Sequence, residues 1–265
     1  MENKRTKDKL RALLVQLDTK WNDIHANFTK IEQILSKEIK NTAIDIVVLP
    51  EMFQTGFNMN PSECAEEHLG PTYQWMSQIA TKYNLAITGS VSIIHESKYY
   101  NRLYFVTPYG YQYYNKRHLF SLANEDKSFE SGAARTIIEY KGWRILPLIC
   151  YDLRFPIWSR NDLEYDIMMI VANWPSVRIN HWDHLLKARA IENVSYVIAV
   201  NRVGADGNGW QFNGHTQCLF PNGETNVFIG DVETTITAEL DKELVKSTRQ
   251  KTPFLEDRDL FQILE

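Results

Sequence analysis

The feature that most constrains the fold is an imbalance between two kinds of segment. About twelve short, apolar, β-branched runs punctuate the chain, against about four longer stretches with helical periodicity. Strands are expected at 11–17, 45–49, 86–94, 103–107, 111–114, 136–140, 144–149, 165–171, 196–200, 217–220, 226–229 and 234–239. Helices are expected at 21–38, where Ile24, Phe28, Ile31 and Leu35 recur at three- and four-residue spacing, and at 72–83, 181–193 and 242–248. So many strands overfill a simple doubly wound sheet. A two-sheet core with helices outside accommodates them, which makes the chain α/β. No repeat, low-complexity tract or Pro/Gly/Ser-rich linker divides the 265 residues. They read as a single domain, 1–265, with its core over about 11–240 and a C-terminal tail over 241–265.

Charge and cysteine usage narrow the function. The formal net charge is -4, so no basic field exists to hold nucleic acid, and none is expected as a partner. The first apolar run is broken by Gln16 and Asp18 and lacks a signal-peptide core. No window approaches the roughly 20 apolar residues that span a bilayer, so the expectation is a cytoplasmic protein with no membrane partner. The 3 cysteines, Cys64, Cys150 and Cys218, are odd in number and far apart, which fits reduced thiols rather than a disulfide framework or a zinc site.

Several expected strands end in a polar residue that the hydrophobic pattern does not explain. Glu51 follows 45–49, Lys116 follows 111–114, and Cys150 with Asp152 follows 144–149; Asn173 and Trp174 follow 165–171, and Asn201 and Arg202 follow 196–200. In open α/β sheets ligands bind beyond the carboxyl ends of strands, so these five ends can converge on one pocket. Taken singly, each residue has a plainer reading. A cysteine after an apolar run is more often an inert core thiol, Glu51 after Pro50 can cap a helix starting at Met52, and Lys116 can be a solvated turn lysine. Together, a thiol, a carboxylate and an ammonium suit acyl transfer. The thiolate attacks a carbonyl and holds the acyl group as a thioester, the carboxylate takes the thiol proton, and the ammonium offsets the oxyanion.

The strings VVLPEMF, NKRHLF and LICYDLRFP resemble the three catalytic blocks of the nitrilase, or carbon–nitrogen hydrolase, superfamily, in that chain order. VANWP, ARAIEN and NRVG extend the resemblance over about residues 13–240. It implies Glu51 as general base, Lys116 as oxyanion-stabilising lysine and Cys150 as nucleophile. It also implies a second glutamate, Glu125, seven residues before Gly132, to position the lysine or the substrate amide. The implied fold is a four-layer αββα sandwich, and the implied assembly is a homodimer paired through helices near the nucleophile. EMFQTGF, CYDLRFPIWSR and NRVGADGNG are most similar to the omega-amidase branch, which hydrolyses the terminal amide of 2-oxoglutaramate or 2-oxosuccinamate and accompanies glutamine transaminases in methionine salvage.

A small 2-oxo acid amide carries a carboxylate at one end and a neutral amide at the other, so its pocket needs a cation opposite the catalytic groups. Arg154 is the first candidate for the carboxylate, the alternative being a structural arginine paired with a nearby acid; Arg202 reads more readily as structural. His118 either donates to the 2-oxo group or orients its loop. Trp174, Phe57 and Tyr151 are expected walls, and the Tyr151 backbone N–H is expected as the second oxyanion donor. GADGNG lacks the strand–GxGxxG–helix context of a dinucleotide site, no histidines show metal-ligand spacing, and thioester chemistry needs no metal or other cofactor. Residues 63–68 read as a solvated acidic loop over the pocket rim, and Cys64 and Cys218 as spectators. Alternatives are another amidase of the superfamily, acting on deaminated glutathione, an N-carbamoyl compound or an aliphatic amide, and a silent interaction protein with the same fold.

Overall fold

The computed structural model describes residues 7–40 and 42–263. In chain order its elements are β1 (Lys9–Gln16), α1 (Ile24–Glu38), β2 (Ile46–Val48), α2 (Pro61–Cys64), β3 (Glu66–Glu67), α3 (Pro71–Tyr83), β4 (Ala86–His95), β5 (Lys98–Thr107) and β6 (Gly110–Asn115). There follow β7 (Ile138–Tyr140), β8 (Trp143–Ile149), α4 (Pro156–Ser159), β9 (Ile167–Ala172), α5 (Ile179–Asn193), β10 (Tyr196–Asn201), β11 (Val203–Ala205), β12 (Gln211–Asn213), β13 (Gln217–Leu219), β14 (Thr225–Phe228), β15 (Thr234–Asp241) and α6 (Lys242–Lys251).

Two mixed sheets form the centre. One runs β15-β1-β2-β4-β5-β6, with β3 also on β4; the other runs β14-β13-β10-β9-β8-β7. The middle strands are parallel in both sheets: β1 with β2 and β2 with β4, then β8 with β9 and β9 with β10. Parallel neighbours point their carboxyl ends the same way, which gathers the polar strand ends at one edge of the sandwich. Alternation along β1 shows why the layers form. Leu10, Ala12 and Leu14 enter the core between the sheets with Ile145, Met169 and Ile198, while Leu13, Val15 and Leu17 turn to the helices. Ile31 and Leu35 of α1 and Trp75, Met76 and Ile79 of α3 meet that outer face. On the far side Trp182, Leu186 and Ala190 of α5 cover the second sheet. The result is the expected αββα sandwich. The last strand closes it, since β15 pairs antiparallel with β1 from Lys9↔Asp241 to Gln16↔Thr234.

Differences from the expected elements have local causes. Helix α1 starts at Ile24 rather than residue 21, because the Asp23 side chain accepts from the Ala26 N–H (3.0 Å) and Asn22 sits at φ 51°. Residues 63–68 are not a solvated rim. Glu66–Glu67 pairs with Ile93–Ile94 of β4, and the Glu66 carboxylate accepts from the Thr72 N–H (2.7 Å), capping α3 at a start where Gly70 has no side chain to do so. The β11–β12 hairpin and β3, too short and polar for a periodic signal, are the strands absent from the expected set. Among the described residues, no helix is long and apolar enough to cross a membrane.

Candidate active site

The strand ends converge as the sequence suggests. Glu51 lies just beyond β2, Lys116 directly after β6, Cys150 directly after β8 and Asn173 directly after β9. The Lys116 Nζ is 2.8 Å from Glu51 Oε1 and 3.0 and 2.9 Å from the two oxygens of Glu125, and all three side chains are fully buried. No helix starts at Met52; instead Met52 takes φ 44° with its N–H on Ser90 Oγ (2.9 Å), which turns Glu51 inward.

Two asparagines complete the cluster. Asn101 of β5 donates to Glu51 Oε1 (2.8 Å) and Glu125 Oε1 (3.2 Å), and the Asn173 N–H donates to Glu51 Oε2 (2.8 Å) while its side chain donates to the Glu51 carbonyl (2.8 Å). Glu125 also accepts from the Phe120 N–H (2.7 Å). A buried carboxylate or ammonium is tolerable only with such partners.

The spacing from Glu125 to Gly132 has a steric reason. The loop returns across the Asn115–Lys116 backbone, where the Gly132 N–H donates to the Lys116 carbonyl (2.8 Å). A Cβ at Gly132 would lie 2.1 Å from the Asn115 carbonyl oxygen, so only glycine permits the approach that lays Glu125 over Lys116.

Cys150 has φ 44°, a left-handed conformation that costs a non-glycine residue about 1–2 kcal/mol and breaks β8 into a sharp turn over Cys150–Arg154. Asp152 holds that turn, accepting from the Ile149 N–H (3.0 Å), the Tyr114 hydroxyl (2.8 Å), the His118 N–H (2.9 Å) and the His118 ring at Nδ1 (2.8 Å). Burial, then the Glu51 charge, pushes the Cys150 thiol well up; Lys116 opposes them and Glu125 adds to them. The resting group is therefore a neutral thiol that must hand on its proton as it reacts. Burial alone would lower the Lys116 ammonium, but Glu125 and Glu51 reverse this and hold it protonated. Glu125 is itself pushed up by burial against the pull of Lys116. Such a cluster suits a buried proton transfer beside an oxyanion.

Cys150 opens onto a cleft. Phe57, Tyr151, Arg154 and Trp174 line it, joined by Asn173 and Arg178. His118 does not line it: bound to Asp152 and stacked on Phe155 (3.6 Å between centroids, 6° between planes), it sits behind the nucleophile turn and orients it. Arg202 is fully buried and donates to the carbonyls of Thr19 (3.0 Å), Val203 (3.1 Å) and Ala205 (3.0 Å), tying loops together. Asn101 and Arg178 were not among the expected site residues. A polar side chain within a strand otherwise apolar on its buried face marks Asn101, and a basic residue closing VANWPSVR marks Arg178. Cys64 and Cys218 are buried and unpaired. Among the described residues no group of three or more His, Cys, Asp or Glu is arranged to hold a metal ion.

An αββα sandwich with a glutamate, a lysine and a cysteine at its strand ends defines a class, and the carbon–nitrogen hydrolase family profile matches residues 11–250. The chain belongs to that family and is a hydrolase. It is 43% identical to Omega-amidase YafV of Escherichia coli K12 over 259 residues, covering 96% of this chain and 98% of the relative. It is 33% identical to the 2-oxoglutaramate amidase of Bacillus subtilis, covering 93% and 97%. Among solved structures, a carbon–nitrogen hydrolase superfamily protein of Xanthomonas campestris with an arsenic adduct in its active site superposes with a TM-score of 0.92 at 40% identity, over 97% of this chain and 100% of that one.

Proposed function

We propose that the chain is an omega-amidase, hydrolysing the terminal amide of a short 2-oxo acid amide such as 2-oxoglutaramate or 2-oxosuccinamate to the 2-oxo dicarboxylate and ammonia. The observation that carries this reading is the sealed Glu51–Lys116–Glu125 cluster beside Cys150, at a cleft whose wall also carries the Arg154 guanidinium. The omega-amidase and 2-oxoglutaramate amidase relatives support the substrate class.

In this mechanism Glu51 takes the Sγ proton as Cys150 attacks the amide carbon. The carbonyl oxygen becomes an oxyanion held by the Lys116 ammonium and the Tyr151 backbone N–H, each donor contributing roughly 3–4 kcal/mol. Glu51 returns the proton to the leaving nitrogen, the C–N bond breaks and ammonia departs, leaving a thioester. Glu51 then deprotonates a water that attacks the thioester, releasing the acid and restoring the thiol. Glu125 keeps Lys116 charged and in place, the Trp174, Phe57 and Tyr151 rings pack the short carbon chain, and the carboxylate faces the guanidiniums of the cleft, Arg154 among them. No cofactor takes part.

The working unit is a homodimer in the cytoplasm. Ile157 of α4, exposed just after the Cys150–Arg154 turn, supports pairing through that face. Light scattering at micromolar concentration tests the assembly, and a monomer contradicts it. Ammonia release from 2-oxoglutaramate, beside glutamine, asparagine and a simple nitrile, tests the activity. Turnover confined to the 2-oxo amide is expected, and equal turnover of glutamine refutes the substrate reading.

A further inference from the structure

The cleft carries two guanidiniums, and they are unlike every paired arginine in the molecule. Arg11, Arg135, Arg144 and Arg189 each lie within 4.0 Å of a carboxylate. Neither Arg154 nor Arg178 has one within that distance among the described residues. Arg154 lies over the Trp174 ring (4.6 Å to the centroid) and shares a 3.2 Å contact with the His181 ring, toward solvent. Arg178 is held more tightly. It ends the short turn Ser176–Arg178, its carbonyl accepts from the Trp174 indole (2.8 Å), and its guanidinium lies over Phe120 and Trp210, 5.2 Å from each centroid. Its Nη2 is buried with no hydrogen-bond partner.

A half-buried guanidinium set against two aromatic rings, with one buried nitrogen that has no acceptor, is incomplete as protein structure. A planar carboxylate satisfies it, since the guanidinium fork matches two carboxylate oxygens. Burial, then the Arg154 charge, pushes the Arg178 guanidinium down against the pull of Cys150, and an anion beside it would offset both. We infer that Arg178 is the principal specificity-determining residue of the cleft, binding the carboxylate of an anionic omega-amide, with Arg154 as its outer partner. This rests on the omega-amidase reading for the length of the substrate and not for its charge.

The test compares Arg178→Gln, Arg178→Lys and Arg154→Gln with the wild type. Each is assayed for ammonia release from glutaramate and from pentanamide, which has the same length and no carboxylate. Glutarate binding is measured by titration calorimetry. In Arg178→Gln the ratio of kcat/KM for glutaramate over pentanamide falls about 100-fold, chiefly through KM, and glutarate binds at least about 30-fold more weakly. Arg178→Lys recovers part of the binding without the fork, and Arg154→Gln loses less than about 10-fold. A merely structural arginine would lower both amides together and leave the ratio unchanged, which overturns the assignment. So does glutarate affinity that is absent in the wild type or equal in wild type and Arg178→Gln. If glutaramate is turned over as fast as 2-oxoglutaramate, the 2-oxo reading fails while the Arg178 assignment stands.

Discussion

Substituting Gly132 by alanine probes how the loop that carries Glu125 is tied to the lysine it serves. The added Cβ would lie 2.1 Å from the Asn115 carbonyl oxygen, 2.9 Å from its carbon and 3.0 Å from the Asn115 Cβ, against an ordinary contact of 3.4 Å or more. The backbone of 115–116 and the loop must therefore separate by about 1.3 Å, because the blocking atom is main chain and no side chain can swing away. Gly132 does not occupy the left-handed region, so the effect is steric. That displacement is about half the length of the Lys116–Glu125 contacts of 2.9 and 3.0 Å, and it acts on the residue that carries the ammonium. A misplacement of about 1 Å in a catalytic constellation costs about 100-fold in rate, and overpacking of this kind costs about 1–3 kcal/mol of stability. The expected result is a loss of about 100-fold or more in kcat/KM for ammonia release, with a fall in Tm of about 2–10 °C. Gly230→Ala is the control. A Cβ there meets nothing within 4 Å and its backbone is not left-handed, so its activity and Tm stay within error of the wild type or rise slightly. Wild-type kcat/KM in Gly132→Ala would refute the argument that this close approach sets the lysine.

Three further outcomes are expected. Cys150→Ala leaves the fold intact by circular dichroism and abolishes hydrolysis; residual turnover above about one part in a thousand removes Cys150 from its role. Glu51→Gln keeps most of the hydrogen-bond pattern but cannot take the thiol proton, so no acyl-enzyme accumulates by intact mass, and a thioester formed at normal yield shows that another group is the base. Burial pushes the Cys218 thiol from 9.0 up to about 12, so the folded value lies above the unfolded one. The neutral thiol then favours the folded state, fully below about pH 9, and between there and pH 12 stability falls by about 1.4 kcal/mol per pH unit. Cys218→Ala lacks this contribution, and identical slopes for the two proteins in urea titrations across that window would contradict it.

The placement of Glu51, Lys116 and Cys150 and the two-sheet core are legible in the sequence for the same reason. Strand periodicity marks where each apolar run stops, and Glu51, Lys116 and Cys150 stand just past those stops. β2 and β8 lie in the parallel sheet centres, and β6, two antiparallel steps from β4, points the same way as β4, so order along the chain becomes proximity in space. Asn101 escapes that logic: it lies inside β5, and its role depends on two carboxylates, Glu51 and Glu125, being brought within reach of one side chain. His118 escapes it in the other direction. It stands two residues beyond Lys116 in the same catalytic string, yet the turn rotates its ring onto Asp152 and Phe155, away from the cleft.

By itself the sequence determined the chemistry available and the family to which the chain belongs, because residue type and spacing carry both. The number of its strands pointed to a two-sheet core with helices outside, and the resemblance to the family implied the four-layer sandwich. Only the tertiary structure decided which charges are neutralised. Lys116 is enclosed by two carboxylates and two asparagines lie over them, whereas Arg178 is enclosed by two aromatic rings and no acid. Charge pairing depends on distances between residues remote in the chain, and those distances exist only once the layers have packed.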